Sequence, residues 1–364
     1  MFINWLKRHQ KITLGVGALI GIGLSASLTV KLAPQIGRTT SVINVAGATQ
    51  LIEDSSWTES VAIHDQESVP DQIGILLLGY GGAGHQGGGL SDVIQVIYID
   101  KTKEKTALIS IPRDLWVKQN GGKESKINGA WVLGGNKNQI TTQAQTAKQI
   151  VSQITGLPIH YFISVDFVGF ERLIGQDLKG IEVNVSEPLV DSWYPIKGEE
   201  LNTCGLTAEE VGELTAKYSG FELEKQFPCR YEKLNFQPGI NKMQGGEALK
   251  FVRSRHGSNG GDFSRARRQH ELLEAISKKI ISLEAVKNVD KIYQTMTQNV
   301  NTDLDLDGAR RLAAALPSLP SFSLTRISLT TENVLSSGPS SSLIPRAGAN
   351  NWTEVQQYLE SQLQ

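Results

Sequence analysis

An excess of charge of either sign is missing from this chain. Lys and Arg number 36 against 37 Asp and Glu, a formal net charge of −1. A protein that gathers nucleic acid through its overall field needs surplus cations, so no nucleic-acid partner is expected and any basic site must be a local cluster. Cysteine is also scarce. Only Cys204 and Cys229 occur, and neither has a second Cys or His at zinc-ligand spacing, which removes a structural zinc site. The pair is compatible with one disulfide in an oxidising compartment, contributing about 3 kcal/mol in the chain-entropy account, or with two buried thiols. No internal repeat is present, and no Gly-Lys-Ser/Thr follows a glycine-rich loop, which excludes a Walker-type nucleotide site.

Near the N-terminus lies an uncharged run, Ile12 to Val30, "ITLGVGALIGIGLSASLTV". It is just long enough to cross a bilayer as a helix. Lys7, Arg8 and Lys11 precede it and Lys31 and Arg38 follow, a modest bias toward a cytoplasmic N-terminus. Residues 1–11 therefore read as a cytoplasmic tail, 12–30 as a transmembrane helix and 31–70 as a polar linker, with a short strand possible at "SVINVAG". A cleaved signal peptide is the alternative, because Ser25-Ala26-Ser27 resembles a cleavage site, although the apolar run exceeds most signal cores. Residues 71–364 then form one extracytoplasmic domain.

Glycine is concentrated in "ILLLGYGGAGHQGGGLSD", Ile75 to Asp92. Gly79, Gly81 and Gly84 match a dinucleotide fingerprint, and Asp100 stands where the ribose-binding acid would be. That fingerprint requires the glycines to open a helix before the next strand. Here only His85 to Asp92, including Gly87, Gly88 and Gly89, precede the apolar run "VIQVIYI". No helix fits, so the nucleotide reading fails and Asp100 becomes an ordinary strand-end residue.

The rest alternates strands and helices. Ile73–Leu78, Val93–Ile99 and Thr106–Ile111 are apolar runs suited to buried strands, the last two joined by the polar turn "KTKEK" as a hairpin. Gln139–Ile154 carries Ile140, Ala144, Ala147, Ile150, Val151 and Ile154 at helical spacing, ended by Gly156-Leu157-Pro158. "HYFISVD" and "GIEVNV" read as strands flanking a short helix, and Thr207–Lys217 as a small helix. Ser264–Leu283 is a strong amphipathic helix with Leu272, Leu273, Ile276, Ile280 and Leu283 inward and Asp262 near its N-cap. Helices over Val286–Val300 and Leu306–Leu316, the strand "SFSLTRISLT" and a helix from Asn351 complete the chain. The pattern is that of a single α/β/α sandwich with a mixed central sheet.

Chemistry gathers in three stretches: the glycine loop ending in Leu90-Ser91-Asp92, "SIPRD" at 110–114, and "FVRSRHGSNGGDFSRARRQ" at 251–269 with five arginines. We read "LKFVRSR" as a strand that points Arg253 and Arg255 to one side. Arg265, Arg268 and Gln269 fall on one face of the first turns of the next helix. Cations there oppose the helix dipole, so an anionic ligand explains them, and guanidinium forks suit phosphate. Arg267 is as well explained by a solvated face. A carboxylate at Asp92 near such a site makes sense if it holds a divalent cation bridging to phosphate.

These ordered landmarks resemble the LytR-CpsA-Psr family of bacterial envelope proteins. They comprise the strand with Gly79, "LSD" (90–92), "SIPRD" (110–114), "KING" (126–129), residues 160–185, "GGEALKFVRSR" (245–255) and "GDFSRARRQ" (261–269), within a motif core of 74–283. The resemblance implies a metal-dependent phosphotransferase that moves a glycopolymer from a polyprenyl-pyrophosphate carrier to a hydroxyl of peptidoglycan or another envelope glycan. It implies that Arg113, Arg253, Arg255, Arg265 and Gln269, with Arg268 beside them, hold the pyrophosphate. Arg113, Asp114, Arg265 and Gln269 form the catalytic group, with Asp114 orienting Arg113. Asp92 would bind Mg²⁺, or Mn²⁺, and the carrier lipid would lie in an apolar tunnel. Two departures stand out. Gly81 replaces a usual Asp and Leu90 a usual Arg, which brings in His85 as a substitute phosphate donor or metal ligand. A polyprenyl-pyrophosphate hydrolase and a non-catalytic polyprenyl-phosphate-binding protein are the competing readings.

Overall fold

A computed structural model describes residues 69–364, apart from 86, 120, 121, 134, 255, 256, 258–260, 283–288 and 316–321. The expected tail, transmembrane helix and nearly all of the linker lie outside the described residues, as does the strand at "SVINVAG". Among the described residues, no helix is long and apolar enough to cross a membrane.

The apolar runs form the sheet. Strands β1 (Gln72–Tyr80), β2 (Ser91–Asp100) and β3 (Lys105–Ser110) are followed by the short pair β4 (Trp116–Lys118) and β5 (Glu124–Lys126). Helix α1 (Lys137–Thr155) leads into β6 (Tyr161–Asp166), then α2 (Phe167–Arg172), which continues as a π-turn over Leu173–Asp177. Next come β7 (Ile181–Val185), β8 (Leu189–Pro195), α3 (Ala208–Lys217), α4 (Gly220–Glu224), β9 (Tyr231–Phe236) and β10 (Gly239–Met243). Helices α5 (Gly245–Arg253), α6 (Gly261–Ser282) and α7 (Val289–Met296) precede β11 (Asn301–Thr302), α8 (Leu306–Ala315) and β12 (Ser323–Ser328). The pair β13 (Leu335–Ser337) and β14 (Leu343–Pro345) and helix α9 (Thr353–Leu363) end the chain.

Six strands make the central sheet in the order β11-β6-β1-β2-β3-β12. It is mixed: β1 pairs antiparallel with β2 and parallel with β6, while β3 pairs antiparallel with β2 and parallel with β12. The β2–β3 hairpin read from "KTKEK" is present. Asp100 closes it: burial alone would raise its pKa, but bonds from Thr102 and Lys103 to its carboxylate outweigh this and lower it. The antiparallel β1–β2 pairing also removes any dinucleotide topology, which needs a parallel crossover.

Strand pleat sorts the side chains into two cores. Ile73, Ile75 and Leu77 of β1, with Ile97 and Ile99 of β2, face α2, α5, α6, α7 and α8. Leu76, Leu78 and Tyr80, with Ile94, Val96 and Tyr98, face α1 and α9. The stripe read from α1 is buried there in full, from Ile140 to Ile154. Helix α1 starts on Asn136, whose side chain accepts from Gln139 N–H at 3.0 Å, and stops at Gly156 with φ 71°.

One element differs from expectation. Leu249–Arg253 of "LKFVRSR" is not strand but the second half of α5. Glu247 accepts from the Gln244 backbone N–H at 2.9 Å, an N-terminal box that starts a helix. Ala248, Leu249, Phe251 and Val252 are all buried, a spacing of three and four that no two-residue alternation satisfies. Arg253 therefore sits in the last turn of a helix, and Arg255 lies outside the described residues. Asp262 is likewise inside the first turn of α6 rather than ahead of it.

Phe251 is fully buried and meets Phe236 edge-on at 5.2 Å between ring centres. Phe251→Ala should lower folding stability by about 3–5 kcal/mol. Urea unfolding checks this, and an unchanged midpoint would show that α5 is not fastened through this ring.

Candidate active site

The first core does not close completely. Between the sheet and helices α2, α5 and α6 lies a cavity of about 700 Å³, within the range of small-ligand pockets. Its walls include Leu77, Ile163, Leu173, Leu272, Ile276 and Met296, all members of the first core. Asp92, Gln95, Arg113, Asp166, Arg253, Arg265 and Gln269 line it too. One chamber thus combines a hydrocarbon-like wall with a cluster of cations and amides.

Asp92 stands in the second position of β2, and Arg113 follows the end of β3, its neighbour in the sheet. Arg113 Nη1 donates to Asp92 Oδ1 at 2.5 Å. Its Nε is buried without a hydrogen bond, 3.6 Å from Asp114 Oδ2. Asp114 takes a second cation, Lys126 of the "KING" stretch, at 2.8 Å. Arg113 is therefore held from both sides by carboxylates, a geometry compatible with the expected orienting part for Asp114.

Arg253 lies over the Phe167 ring at 4.1 Å, and its Nη1 approaches Tyr194 Oη at 3.5 Å. The edge of His85 packs on the same ring at 5.0 Å. Burial first, then the nearby Arg253 and Lys197 charges, lowers the His85 pKa and favours its neutral form. A Cβ on Gly81 would come within 3.1 Å of the His85 Cβ and 3.3 Å of the Gly88 Cα, so a larger residue there requires a shift of a few tenths of an ångström in the loop. The glycines let this loop close tightly. Gly82 has φ +79° and donates to Gly88 O at 2.7 Å, and a Cβ on Gly88 would meet Gly82 O at 2.0 Å. His85 thus borders the loop and the ring under Arg253.

Helix α6 divides its residues. Arg265 and Gln269, one turn apart, line the cavity. Arg268 does not share their direction. It is 3% exposed, and donates to Phe251 O at 2.8 Å and to Ser254 O at 2.5 Å. It satisfies carbonyl groups at the C-terminal end of α5 and thereby joins α5 to α6. Burial, then the Arg267 and Arg265 charges, pulls its pKa down to about 10, so it remains a cation at neutral pH. The expectation that Arg268 shares one face with Arg265 and Gln269 is corrected: three residues is short of a full turn, and the helix turns Arg268 inward. Arg267 pairs with Glu187 at 2.6 Å outside the cavity.

Cys204 and Cys229 are bonded to each other. The segment they close contributes Glu224 to the cavity lining, next to Glu200 and Arg230 just outside the closed loop and to Trp193 and Tyr231.

Two residues that line the cavity were not singled out from the sequence. Asp166 caps α2 by accepting from Gly169 N–H at 2.7 Å, and its carboxylate abuts Gly82. An Asp at a strand-to-helix junction was the available signal. Gln95 is buried in the middle of "VIQVIYI". Its Nε2 donates to Gln269 Oε1 at 3.0 Å and to Ser110 Oγ at 3.2 Å, and Ser110 Oγ is 2.9 Å from His270 Nε2. A lone amide inside an aliphatic run was the signal there.

The donor set was tested against the divalent cation implied above. Among the described residues, no group of three or more His, Cys, Asp or Glu side chains is placed to hold a metal. Asp92 contributes one hard oxygen, which fits an Mg²⁺ completed by phosphate oxygens and water and does not fit a protein-caged ion.

The profile of the LytR_cpsA_psr family matches residues 40–357. TagU of Enterococcus faecalis, named a polyisoprenyl-teichoic acid–peptidoglycan teichoic acid transferase, is 27% identical over 246 residues, 67% of this chain and 65% of its own. TagV of Bacillus subtilis, which carries the same transferase name, is 26% identical over 278 residues, 76% of this chain and 60% of its own. The chain thus spans less than two thirds of the length of these relatives. A crystal structure of B. subtilis TagV superposes with a TM-score of 0.54 at 24% identity, covering 80% of this chain and 97% of that one. That likeness establishes the α/β fold with its mixed sheet.

Burial sets a pH dependence next to the site. His270 is 3% exposed, and burial, then the Arg326 charge, pushes its pKa down to about 4. An unfolded histidine titrates near 6.5. Stability is complete above that value and falls between about 6.5 and about 4, because only the unfolded chain binds the proton. The loss amounts to about 3 kcal/mol. His270→Gln should flatten that portion of the curve in urea unfolding from pH 7 to 4.5, and identical wild-type and variant slopes would show that the imidazole is not buried neutral.

Proposed function

We propose that this chain, which belongs to the LytR_cpsA_psr family, is a transferase moving a glycopolymer from a polyprenyl-pyrophosphate carrier to a hydroxyl of the cell wall, with peptidoglycan as acceptor. The observation that carries this reading is the single chamber in which Arg113, Arg253 and Arg265 meet a wall of aliphatic side chains. A ligand with an anionic head and a long hydrocarbon tail matches both halves. The names of TagU and TagV support the glycan and the acceptor. The rim formed by Trp193, Tyr231, Glu200, Glu224 and Arg230 suits sugars, which have apolar faces and hydroxyl edges.

In this reading the acceptor hydroxyl attacks the phosphorus that bears the glycan. The bond to polyprenyl phosphate breaks, the acceptor's proton passes to solvent, and the lipid phosphate departs. Arg113 and Arg265 hold non-bridging oxygens of the pyrophosphate, and Arg253 adds charge from the C-terminal turn of α5. Asp92 and Asp114 fix the Arg113 fork, so little reorganisation is needed as charge shifts to the leaving group. Gln269 supplies a neutral donor from the same helix face as Arg265. Arg255 is a further candidate from the sequence. Asp92 would hold Mg²⁺ jointly with the substrate, and His85 is the side chain packed nearest to Gly81. The bound ion supplies neutralisation of phosphate charge. An N-terminal anchor over residues 12–30, with the domain outside the cytoplasmic membrane, would place the chamber beside its lipid.

Arg113→Ala and Arg265→Ala should each lower turnover of a polyprenyl-pyrophosphate glycan by at least about a hundredfold while circular dichroism stays unchanged. Wild-type turnover in both would sink the arginine site. Removing divalent cations should stop transfer and leave tail-driven binding in place. Chelator-resistant transfer would reject the shared Mg²⁺. Release of free glycan phosphate without acceptor would identify water as the acceptor instead.

A further inference from the structure

We propose that Gln95 is a positioning residue that holds Gln269 with its side-chain N–H groups turned toward the cavity. The inference rests on the pyrophosphate reading of this site and names what sets its polarity. On β2, Val93, Gln95, Ile97 and Ile99 share the face that meets the first core. Three are aliphatic and Gln95 is not, although it is only 1% exposed. A leucine there would bury without needing partners, whereas a buried amide must find them. Folding alone gives no reason for the choice, and the Gln95 Oε1 indeed has no hydrogen-bond partner among the described residues.

Gln95 instead presents its nitrogen to two acceptors, Ser110 Oγ at 3.2 Å and Gln269 Oε1 at 3.0 Å. Ser110 Oγ also lies 2.9 Å from His270 Nε2. A hydroxyl that accepts from Gln95 can pair with either tautomer of that imidazole. The chain His270–Ser110–Gln95 ends on the carbonyl oxygen of Gln269. With that oxygen turned inward, the two donors of the Gln269 amide remain for the cavity. A pyrophosphate has acceptors only, so this orientation attracts it, and the flipped amide would set oxygen against oxygen. Gln95 does not touch the ligand in this account and acts through Gln269.

The test compares Gln95→Leu and Gln95→Glu with Arg113→Ala in the full-length protein in detergent. Thermal unfolding, inorganic pyrophosphate affinity with Mg²⁺, and turnover on a polyprenyl-pyrophosphate glycan are measured for each. Gln95→Leu should keep or raise the melting temperature, yet weaken pyrophosphate binding and lower kcat by about tenfold, because one charge-assisted hydrogen bond loses its fixed donor. A purely structural role predicts the reverse, a lower melting temperature with unchanged turnover per folded molecule, and that result overturns the inference. Gln95→Glu places an acceptor where Gln269 requires a donor, so it should lose more activity than the leucine variant at nearly the same size. Activity equal to wild type in Gln95→Glu also overturns it. Loss in Arg113→Ala with none in the Gln95 variants rejects the positioning role and leaves the pyrophosphate reading standing. A wild-type protein that neither binds pyrophosphate nor turns over the lipid rejects both.

Discussion

Burial of β1 and β2 on both faces is the constraint from which the rest of this structure follows. Each strand sends alternate side chains into separate cores, Ile75 and Leu77 to one side, Leu76 and Leu78 to the other. Helices must then cover both faces. Helices α1 and α9 close theirs. On the opposite face α2, α5 and α6 stand away from the sheet far enough to leave an apolar chamber of about 700 Å³. Unfilled apolar space is costly in a folded protein, since its lining atoms lack partners. A lipid-like occupant would supply them, so the same gap that weakens the free protein would favour binding.

The polar end of the chamber follows from strand and helix ends that happen to meet there. Asp92 opens β2, Arg113 follows β3, Asp166 ends β6, Arg253 ends α5 and Arg265 lies near the start of α6. Cations near a helix start are unfavourable for the helix. Part of that cost is offset inside the fold, because Arg268 caps the carbonyls of α5, and part is left for an anion at the mouth. Carboxylates hold Arg113 and an aromatic face holds Arg253, so the two guanidinium groups are fixed by different means. The Gln95 relay adds a neutral donor whose direction is set from behind the site.

Much of this was legible before the fold was known. The strands, the α1 stripe and the hairpin at "KTKEK" came from periodicity and spacing, which are local properties, whereas the choice between a disulfide and two thiols at Cys204 and Cys229 came only with the fold. The motif order placed Asp92, Arg113, Asp114, Arg253, Arg265 and Gln269 together, and the chamber brings Asp92, Arg113, Arg253, Arg265 and Gln269 to one wall, with Asp114 behind Arg113. Other parts were not legible. "LKFVRSR" alternates in charge like a strand, yet "GGEAL" upstream starts a helix that carries on to Arg253, and tertiary burial of both Phe251 and Val252 decides the matter. Arg268 has the same side chain and nearly the same helix position as Arg265. Only the position of α5 shows that one caps carbonyls while the other faces the chamber.

The residues alone determined what could be assembled: a two-sided sheet, a cluster of guanidinium groups without enough local acids to neutralise them, and a glycine loop too short for a nucleotide-binding helix. These are consequences of side-chain type and chain spacing, which need no knowledge of distant contacts. Tertiary structure decided which of the arginines share a space, that His85 packs against Gly81, and that Gln95 reaches Gln269 across 174 positions of sequence. Direction is the physical reason. A hydrogen bond or an ion pair depends on where two side chains point at a few ångströms, and helix and strand rotation fix that only once the elements are packed.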